Sequence, residues 1–184
     1  MKKKVIIGIG IFVALIVAAG FYLDNRNRTL SPPGKLEMKI GDANFLLDYS
    51  RPSKRGRVIF GSPESEALLV YGNYWRLGAN EGTEFECNKN MVIAGNKLAA
   101  GRYRIYTIPQ AESFEIFVST EIGAWGYSEP DQDLNLFSFS TSVETNENSV
   151  EQFTFRTDNL NEAEFDLIFE WGRVLVRIPI QIEE

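Results

Sequence analysis

Hydrophobic and polar residues alternate along most of the chain from Lys35 onward, with the period of two that is typical of half-buried β-strands. The clearest example is residues 163–171, whose apolar face holds Phe165, Leu167, Phe169 and Trp171. Acidic residues occupy the opposite face, with Ile168 as the exception. Gly172 and Arg173 then predict a turn into a second strand over 174–182, so we expect a C-terminal hairpin. Pro179 would place that second strand at a sheet edge or a bulge.

Further short runs of strand-like composition precede this hairpin. They lie at residues 36–40, 44–49, 57–60, 83–87, 91–94, 102–108, 114–119, 134–141 and 152–156. Gly95-Asn96 predicts a hairpin turn because both residues tolerate a positive φ. Closely spaced strands without an amphipathic helix among them predict an all-β domain, an antiparallel β-sandwich over residues 35–184. A barrel or a jelly-roll-like closure is the alternative.

The N-terminus breaks the alternation with an uninterrupted apolar segment. Lys2, Lys3 and Lys4 precede Val5 to Leu23, a run of 19 uncharged residues. As a helix rising ~1.5 Å per residue, this run would cross nearly all of a hydrocarbon layer ~30 Å thick. Residues 1–23 therefore predict a transmembrane signal anchor. The positive-inside rule would keep the lysines in the cytoplasm and the domain outside it, in the periplasm or the extracellular space.

The same segment also fits a cleaved signal peptide, which would leave a secreted protein. Ala18 and Gly20 are small residues in an A-x-A-like relation, and residues 5–17 have the length of a signal-peptide core. No cysteine stands at the end of the apolar run, so a lipid cannot be attached through one there. Residues 24–34, which contain Pro32 and Pro33, predict a short extended spacer between the membrane and the domain.

Composition narrows the possible partners and chemistry. Without the three leading lysines the chain has 16 basic and 25 acidic residues, which argues against a nucleic-acid partner. It contains no histidine, which excludes Ser-His-Asp and Cys-His triads and disfavours a zinc or non-haem iron site. The single cysteine, Cys87, lies in an alternating run and is expected to be a buried apolar residue. We therefore expect no metal and no cofactor.

Several phrases of the sequence carry a family resemblance. They are Tyr49-Ser-Arg-Pro-Ser53, Arg55-Gly-Arg-Val-Ile-Phe-Gly61, Leu69-Val-Tyr-Gly72, Trp75-Arg-Leu-Gly-Ala-Asn80, Leu98-Ala-Ala-Gly-Arg-Tyr103 and Tyr106-Thr-Ile-Pro109. In this order they resemble the bacterial domain-of-unknown-function family 2911, from about Phe45 to Ile182. A proline common in the family's version of the third phrase is absent. The resemblance implies a β-rich extracytoplasmic domain, and it implies no activity or ligand.

One loop concentrates the residues best suited to recognition. The candidate ligand-binding residues are Trp75, Arg76, Asn80 and Glu81, with Arg51 and Arg55 as outer members. Tryptophan stacks on sugar rings or apolar groups, arginine binds carboxylates in a fork, and asparagine and glutamate bond hydroxyls. The alternative is structural: Trp75 would plug the end of the sandwich, Arg76 would cap loop carbonyls and Asn80 would support a turn.

Two further features bear on function. Arg51, Lys54, Arg55 and Arg57 place four cations in seven residues, either as a solvated turn or as a contact for an anion or an acidic glycan. Trp125 forms a second aromatic loop, which packing at the edge of the core would also explain.

Three function classes follow from these observations. The first is a membrane-tethered module of the bacterial envelope that binds a glycan, a peptide or a small molecule. The second is a structural or protein-interaction domain. The third is a carboxylate-dependent glycoside hydrolase using two of Glu81, Glu84 and Glu86. In that case Glu84 and Glu86 would lie two strand steps or ~6.7 Å apart, near the lower end of the carboxylate separations of inverting glycosidases. Two carboxylates on the same face are also ordinary on a solvated strand.

Overall fold

One helix and a set of β-strands make up the fold of the computed structural model, which describes residues 2–183. The helix is α1 (Lys2–Leu30). The strands are β1 (Pro33–Ile40), β2 (Ala43–Ser50), β3 (Phe60–Gly61), β4 (Leu69–Val70), β5 (Thr83–Cys87), β6 (Met91–Ile93), β7 (Asn96–Leu98), β8 (Gly101–Pro109), β9 (Ser113–Ser119), β10 (Asn135–Asp158) and β11 (Glu164–Ile182). The prediction of an all-β domain after an apolar helix is confirmed.

The strands form two layers that share β10. Nine of them hydrogen-bond in the order β1-β2-β5-β8-β9-β10-β11-β6-β7, with antiparallel neighbours throughout. Residues 135–142 of β10 pair with β9, and residues 143–158 pair with β11. Aromatic pairs join the layers: the ring centroids of Phe45 and Phe165 are 5.3 Å apart, and those of Phe114 and Phe169 are 5.8 Å apart. Within the described residues β1 and β7 stay at opposite ends of the order, so the sandwich is open and no barrel closes.

The prediction of a C-terminal hairpin is wrong, because residues 164–182 form the single strand β11. Gly172 has φ +62° and pairs with Val150 of β10, where the register shifts on both sides. The left-handed conformation bends the strand without reversing it, as a bulge does. Beyond the bend Ile180 pairs with Ile93 of β6, so β11 bridges two neighbours.

Other strands differ from their expected bounds, because pairing with neighbouring strands decides where each one begins and ends. Residues 135–141 and 152–156, expected in separate strands, are parts of one long strand, β10, and of the run expected at 57–60 only Phe60 belongs to a strand. The β6–β7 hairpin exists, but its turn is Ala94-Gly95, one residue earlier than expected, with φ +46° and +84°. The run at 83–87 matches β5 at both ends.

Helix α1 differs from expectation at its C-terminal end. Residues 24–30, expected to belong to an extended spacer, continue the helix, and only Ser31 and Pro32 separate it from β1. Residues 3–30 are long and apolar enough to cross a membrane, and none of their most apolar window is buried against the domain. A signal sequence has the same properties, so this helix has the character of a membrane anchor or a signal sequence.

Candidate functional site

Trp75 belongs to the core of the sandwich. Its backbone pairs with Thr107 through two hydrogen bonds of 2.8 and 2.9 Å. The ring is 3% exposed, stacks on Trp171 with 5.9 Å between centroids, and meets Phe60 and Phe153 edge-on. Its indole Nε1 donates to the carbonyl oxygen of Gly78 at 3.1 Å. Both the apolar and the polar part of the side chain are thus engaged within the protein.

Arg76, the next residue, is half-buried. Its Nη1 donates to the carbonyl oxygen of Asn80 at 3.0 Å, which closes the loop between residues 76 and 80. A Cβ built on Gly126 would lie 2.6 Å from the Arg76 Cδ, so glycine is needed where the two segments meet. Burial lowers the pKa of the Arg76 guanidinium, and the nearby charge of Arg104 adds to the effect. The group nevertheless stays protonated at neutral pH.

Three of the other candidates contact the chain where α1 ends. Glu81 Oε1 accepts a hydrogen bond from Arg28 Nη2 at 2.8 Å. Asn80 Nδ2 donates to the carbonyl oxygen of Ser31 at 3.3 Å, and Arg55 Nη2 donates to that of Leu30 at 3.1 Å. These contacts link the domain to the helix.

Arg51 lies apart from these residues. Its Nη2 donates to Thr154 Oγ1 at 3.0 Å, and its Nε donates to the carbonyl oxygen of Phe153 at 3.4 Å. Its backbone N–H donates to Pro32, just beyond α1. Arg51 therefore joins the start of the domain to β10. The six candidate residues do not converge on one cavity.

A cavity of about 400 Å³ opens between the end of α1 and the loops at 52–57 and 68–79. We call it the arginine pocket, because Arg55, Arg57 and Arg76 line it. Leu30 and Ser31 form the helix side, and Trp171 and Tyr74 are among the aromatic residues of the walls. Among the described residues that line the pocket, none is acidic. Of the sequence-predicted site, Arg55, Trp75 and Arg76 reach this pocket.

A second cavity, of about 310 Å³, lies near Glu81. We call it the acidic pocket, since Asp48, Glu81 and Glu84 line it together with Arg102. Glu84 is 8% exposed; its Oε2 accepts from Arg102 Nε at 2.7 Å, and its Oε1 accepts from the backbone N–H of Gly123 at 2.6 Å. Both carboxylate oxygens are therefore occupied by the protein itself. Glu81 is paired with Arg28, so two of the three carboxylates considered for glycoside hydrolysis are engaged in ion pairs.

The chain between β9 and β10, residues 120–134, packs over the start of β5. We call it the tryptophan loop, after Trp125, which pairs with Glu81 through its backbone and is 50% exposed. The loop helps to bury Arg104, whose Nη2 donates to the Tyr74 hydroxyl at 2.6 Å and whose Nη1 lies 3.6 Å from Glu121 Oε2. Burial raises the pKa of the Tyr74 hydroxyl, and the charge of Arg104 partly opposes this shift.

Arg57 and Arg104 were not among the candidate site residues. The cation run over residues 51–57 did signal Arg57, with an anion contact as one of its two interpretations. The alternation of β8 places Arg104 on the same face as Arg102 and Tyr106. Nothing in the local sequence indicates that a loop from residues 120–134 covers that face, so the 1% exposure of Arg104 depends on tertiary structure.

Comparison with known proteins gives one match. A family model described as Protein of unknown function (DUF2911) matches residues 31–180, from the end of α1 into β11. No curated protein and no solved structure matches the chain. The resemblance carried by the sequence phrases is therefore confirmed, and the chain belongs to the DUF2911 family of proteins of unknown function.

Proposed function

We propose that this protein is a membrane-anchored domain, held outside the cytoplasm, that binds an anionic ligand in the arginine pocket. The ligand carries a phosphate or a carboxylate group, as acidic sugars and small metabolites of the envelope do. The observation that carries the proposal is that three arginines, Arg55, Arg57 and Arg76, line one cavity and no acidic residue lines it among the described residues. The volume of about 400 Å³ is in the range of cavities that hold small molecules.

Unpaired charge distinguishes these arginines from many others in the molecule. Five arginines have a carboxylate within 4.0 Å: Arg28, Arg102, Arg104, Arg156 and Arg177. Within residues 3–183, Arg55, Arg57 and Arg76 make no such pair, although they share one cavity. Like charges held together repel, and a bound anion removes that repulsion.

The three guanidinium groups are held in place by backbone carbonyls. Arg57 donates through Nε to Lys54 at 3.0 Å and through Nη2 to Ser53 at 2.7 Å. Arg55 and Arg76 each donate one bond, to Leu30 and Asn80. Since a guanidinium has five N–H donors, each group keeps donors for a ligand while its position is fixed. Planar forks of this kind suit phosphate and carboxylate oxygens.

The location is supported by the charges that flank the apolar run. Lys3 and Lys4 precede the run, and the positive-inside rule retains such lysines in the cytoplasm. The rest of the chain would then lie across the membrane. The acidic excess of the domain is compatible with solubility there.

A structural role is the second candidate function, and a specific observation favours it for part of the loop. Asn80, Glu81 and Arg55 all bond to residues at the end of α1. These contacts orient the domain on its helix whether or not a ligand is present. The two roles differ at Arg57, which donates within its own loop and makes no bond to α1 among the described residues.

Isothermal titration of the full chain in a non-ionic detergent tests the proposal. The probes are inorganic phosphate and glucuronate, with glucosamine as a cationic control. We expect both anions to bind and glucosamine not to bind. Arg57→Ala should weaken anion binding by about 10- to 100-fold, the effect of losing a hydrogen bond to a charged group.

Lys39→Ala is the matched control, since it removes an exposed positive charge at the far end of β1. It should bind both anions with the affinity of the unmodified chain. Absence of heat with both anions would contradict the proposal. Equal weakening by Arg57→Ala and Lys39→Ala would also contradict it, because binding would then reflect net charge and not the pocket.

A further inference from the structure

The tryptophan loop carries an uncharged, apolar tip. Residues 122–128 read Ile-Gly-Ala-Trp-Gly-Tyr-Ser, and within them Ile122 is 49%, Trp125 50% and Tyr127 78% exposed. The other two tryptophans of the chain, Trp75 and Trp171, are 3% and 2% exposed. Exposed large apolar side chains that cluster on one segment mark an interaction surface.

Backbone hydrogen bonds hold this tip in one conformation. Glu84 accepts from the N–H of Gly123 at 2.6 Å, and the N–H of Gly126 donates to Asn80 at 3.0 Å. The Tyr74 hydroxyl donates to the carbonyl oxygen of Gly126 at 3.2 Å. With its backbone fixed on both sides of Trp125, the tip presents its rings outward as part of a rigid surface.

The tip lies beside the end of α1. Trp125 pairs with Glu81, which binds Arg28, and Gly126 bonds to Asn80, which binds Ser31. Arg28 is five residues beyond Leu23, the last residue of the apolar run, a rise of ~7.5 Å along the helix. The polar layer on each side of a bilayer is ~5–7 Å thick. The two attachment points, Arg28 at ~7.5 Å and Ser31 at ~12 Å beyond Leu23, therefore lie at and just beyond the outer edge of the headgroup layer of a bilayer spanned by α1.

We propose that the tip of the tryptophan loop inserts Trp125 and Tyr127, with Ile122, into the interfacial layer of the bilayer that α1 spans. Tryptophan and tyrosine favour this layer because each has an apolar ring and a polar group. Glu129, Asp131 and Asp133 follow the tip and are exposed, so the surface suits zwitterionic lipid better than anionic lipid. The inference rests on α1 remaining in the membrane, but not on the arginine pocket.

Fluorescence quenching in vesicles tests this contact, because Trp125 is the exposed tryptophan. The full chain is reconstituted into phosphatidylcholine vesicles, some of which carry a nitroxide on the lipid headgroup. Flotation first establishes that the protein stays with the vesicles. We expect the nitroxide to quench tryptophan emission, and we expect Trp125→Phe to remove most of that quenching because Trp75 and Trp171 are buried.

A second variant controls for position. Leu160→Trp in the Trp125→Phe background places an exposed tryptophan after β10. Gln152 of that strand lies near the end of α1, because it donates to the carbonyl oxygen of Arg51, whose N–H donates to Pro32. Asp158 is six residues or ~20 Å farther along the strand. This tryptophan should be quenched by acrylamide in water and not by the nitroxide lipid. Equal nitroxide quenching of the unmodified chain and of Trp125→Phe would overturn the inference. Failure to float would instead contradict the membrane anchor of the proposed function and, with it, this contact.

Discussion

The arginine pocket and the acidic pocket both border the loop that leads into β5, yet their charges are arranged in opposite ways. In the acidic pocket Glu84 binds Arg102 at 2.7 Å, and Glu81 binds Arg28 at 2.8 Å. In the arginine pocket Arg57 and Arg76 bond only to backbone carbonyls among the described residues. Paired charges are satisfied by the fold itself. The three arginines of the other pocket have no such counter-charge among the described residues, and they are the better evidence for a ligand.

The largest expected effect concerns the wall of the arginine pocket. Trp75→Ala should lower the free energy of unfolding by about 3–5 kcal/mol, because it removes a buried ring from the core. Trp125→Ala should lower it by only about 1–2 kcal/mol, since half of that residue is already exposed. Urea denaturation of both variants measures the difference. Equal losses would contradict the assignment of Trp75 to the core.

The next largest effect concerns the acidic pocket. Glu84→Ala leaves the N–H of Gly123 and the guanidinium of Arg102 without their acceptor, so we expect a loss of about 1–3 kcal/mol in unfolding free energy. Glu86→Ala is the control, because Glu86 is the exposed carboxylate two residues along the same strand. Thermal unfolding should show a lower Tm for Glu84→Ala alone. If both variants unfolded at the same temperature, the carboxylate of Glu84 would have no structural role.

A smaller effect is expected in the arginine pocket. Arg57→Ala should lower the unfolding free energy by no more than about 1 kcal/mol, because no ion pair is lost and the two hydrogen bonds to the Lys54 and Ser53 carbonyls are made by an exposed residue. Screening of the mutual repulsion should raise the Tm of the unmodified chain between low salt and about 0.5 M NaCl, and this rise should shrink in Arg57→Ala. A large destabilisation at all salt concentrations would show that Arg57 is needed for folding.

The smallest effect belongs to the contact between the helix and the domain. Arg28 and Glu81 are each about half-exposed, with side-chain exposures of 48% and 45%. Exposed ion pairs contribute little, so Arg28→Gln should shift the Tm by less than about 2 °C. Combining it with Glu81→Gln should add nothing further. A large shift would mean that the ion pair is needed to hold the domain on α1.

The alternation of apolar residues predicted the fold class, and it predicted β5 with both ends correct. It failed where pairing partners decide the outcome. Gly172 has the sequence character of a turn residue, but β10 pairs with the chain on both sides of it and leaves a bulge. Residues 24–30 contain no helix breaker before Ser31, so the apolar helix continues through polar residues that were expected to be extended.

The candidate site was predictable only in part, because the sequence gives residue types but not the contacts between distant residues. Residue type alone identified Arg55 and Arg76 and noted Arg57 within a basic run. It could not show that Trp75 faces the core or that Asn80 and Glu81 bind the end of α1, because those contacts join residues about 50 positions apart. Which arginines lack a counter-charge also depends on tertiary structure, because carboxylates distant in sequence pair with the others.

Anomalous diffraction from selenate tests the central claim most directly. Selenate has the shape and charge of phosphate-like anions, and its position can be seen without knowing the natural ligand. Crystals of the full chain grown in a non-ionic detergent with selenate should show an anomalous peak within ~4 Å of the guanidinium groups of at least two of Arg55, Arg57 and Arg76. An arginine pocket without a peak, in crystals where selenate is bound elsewhere, would contradict the account.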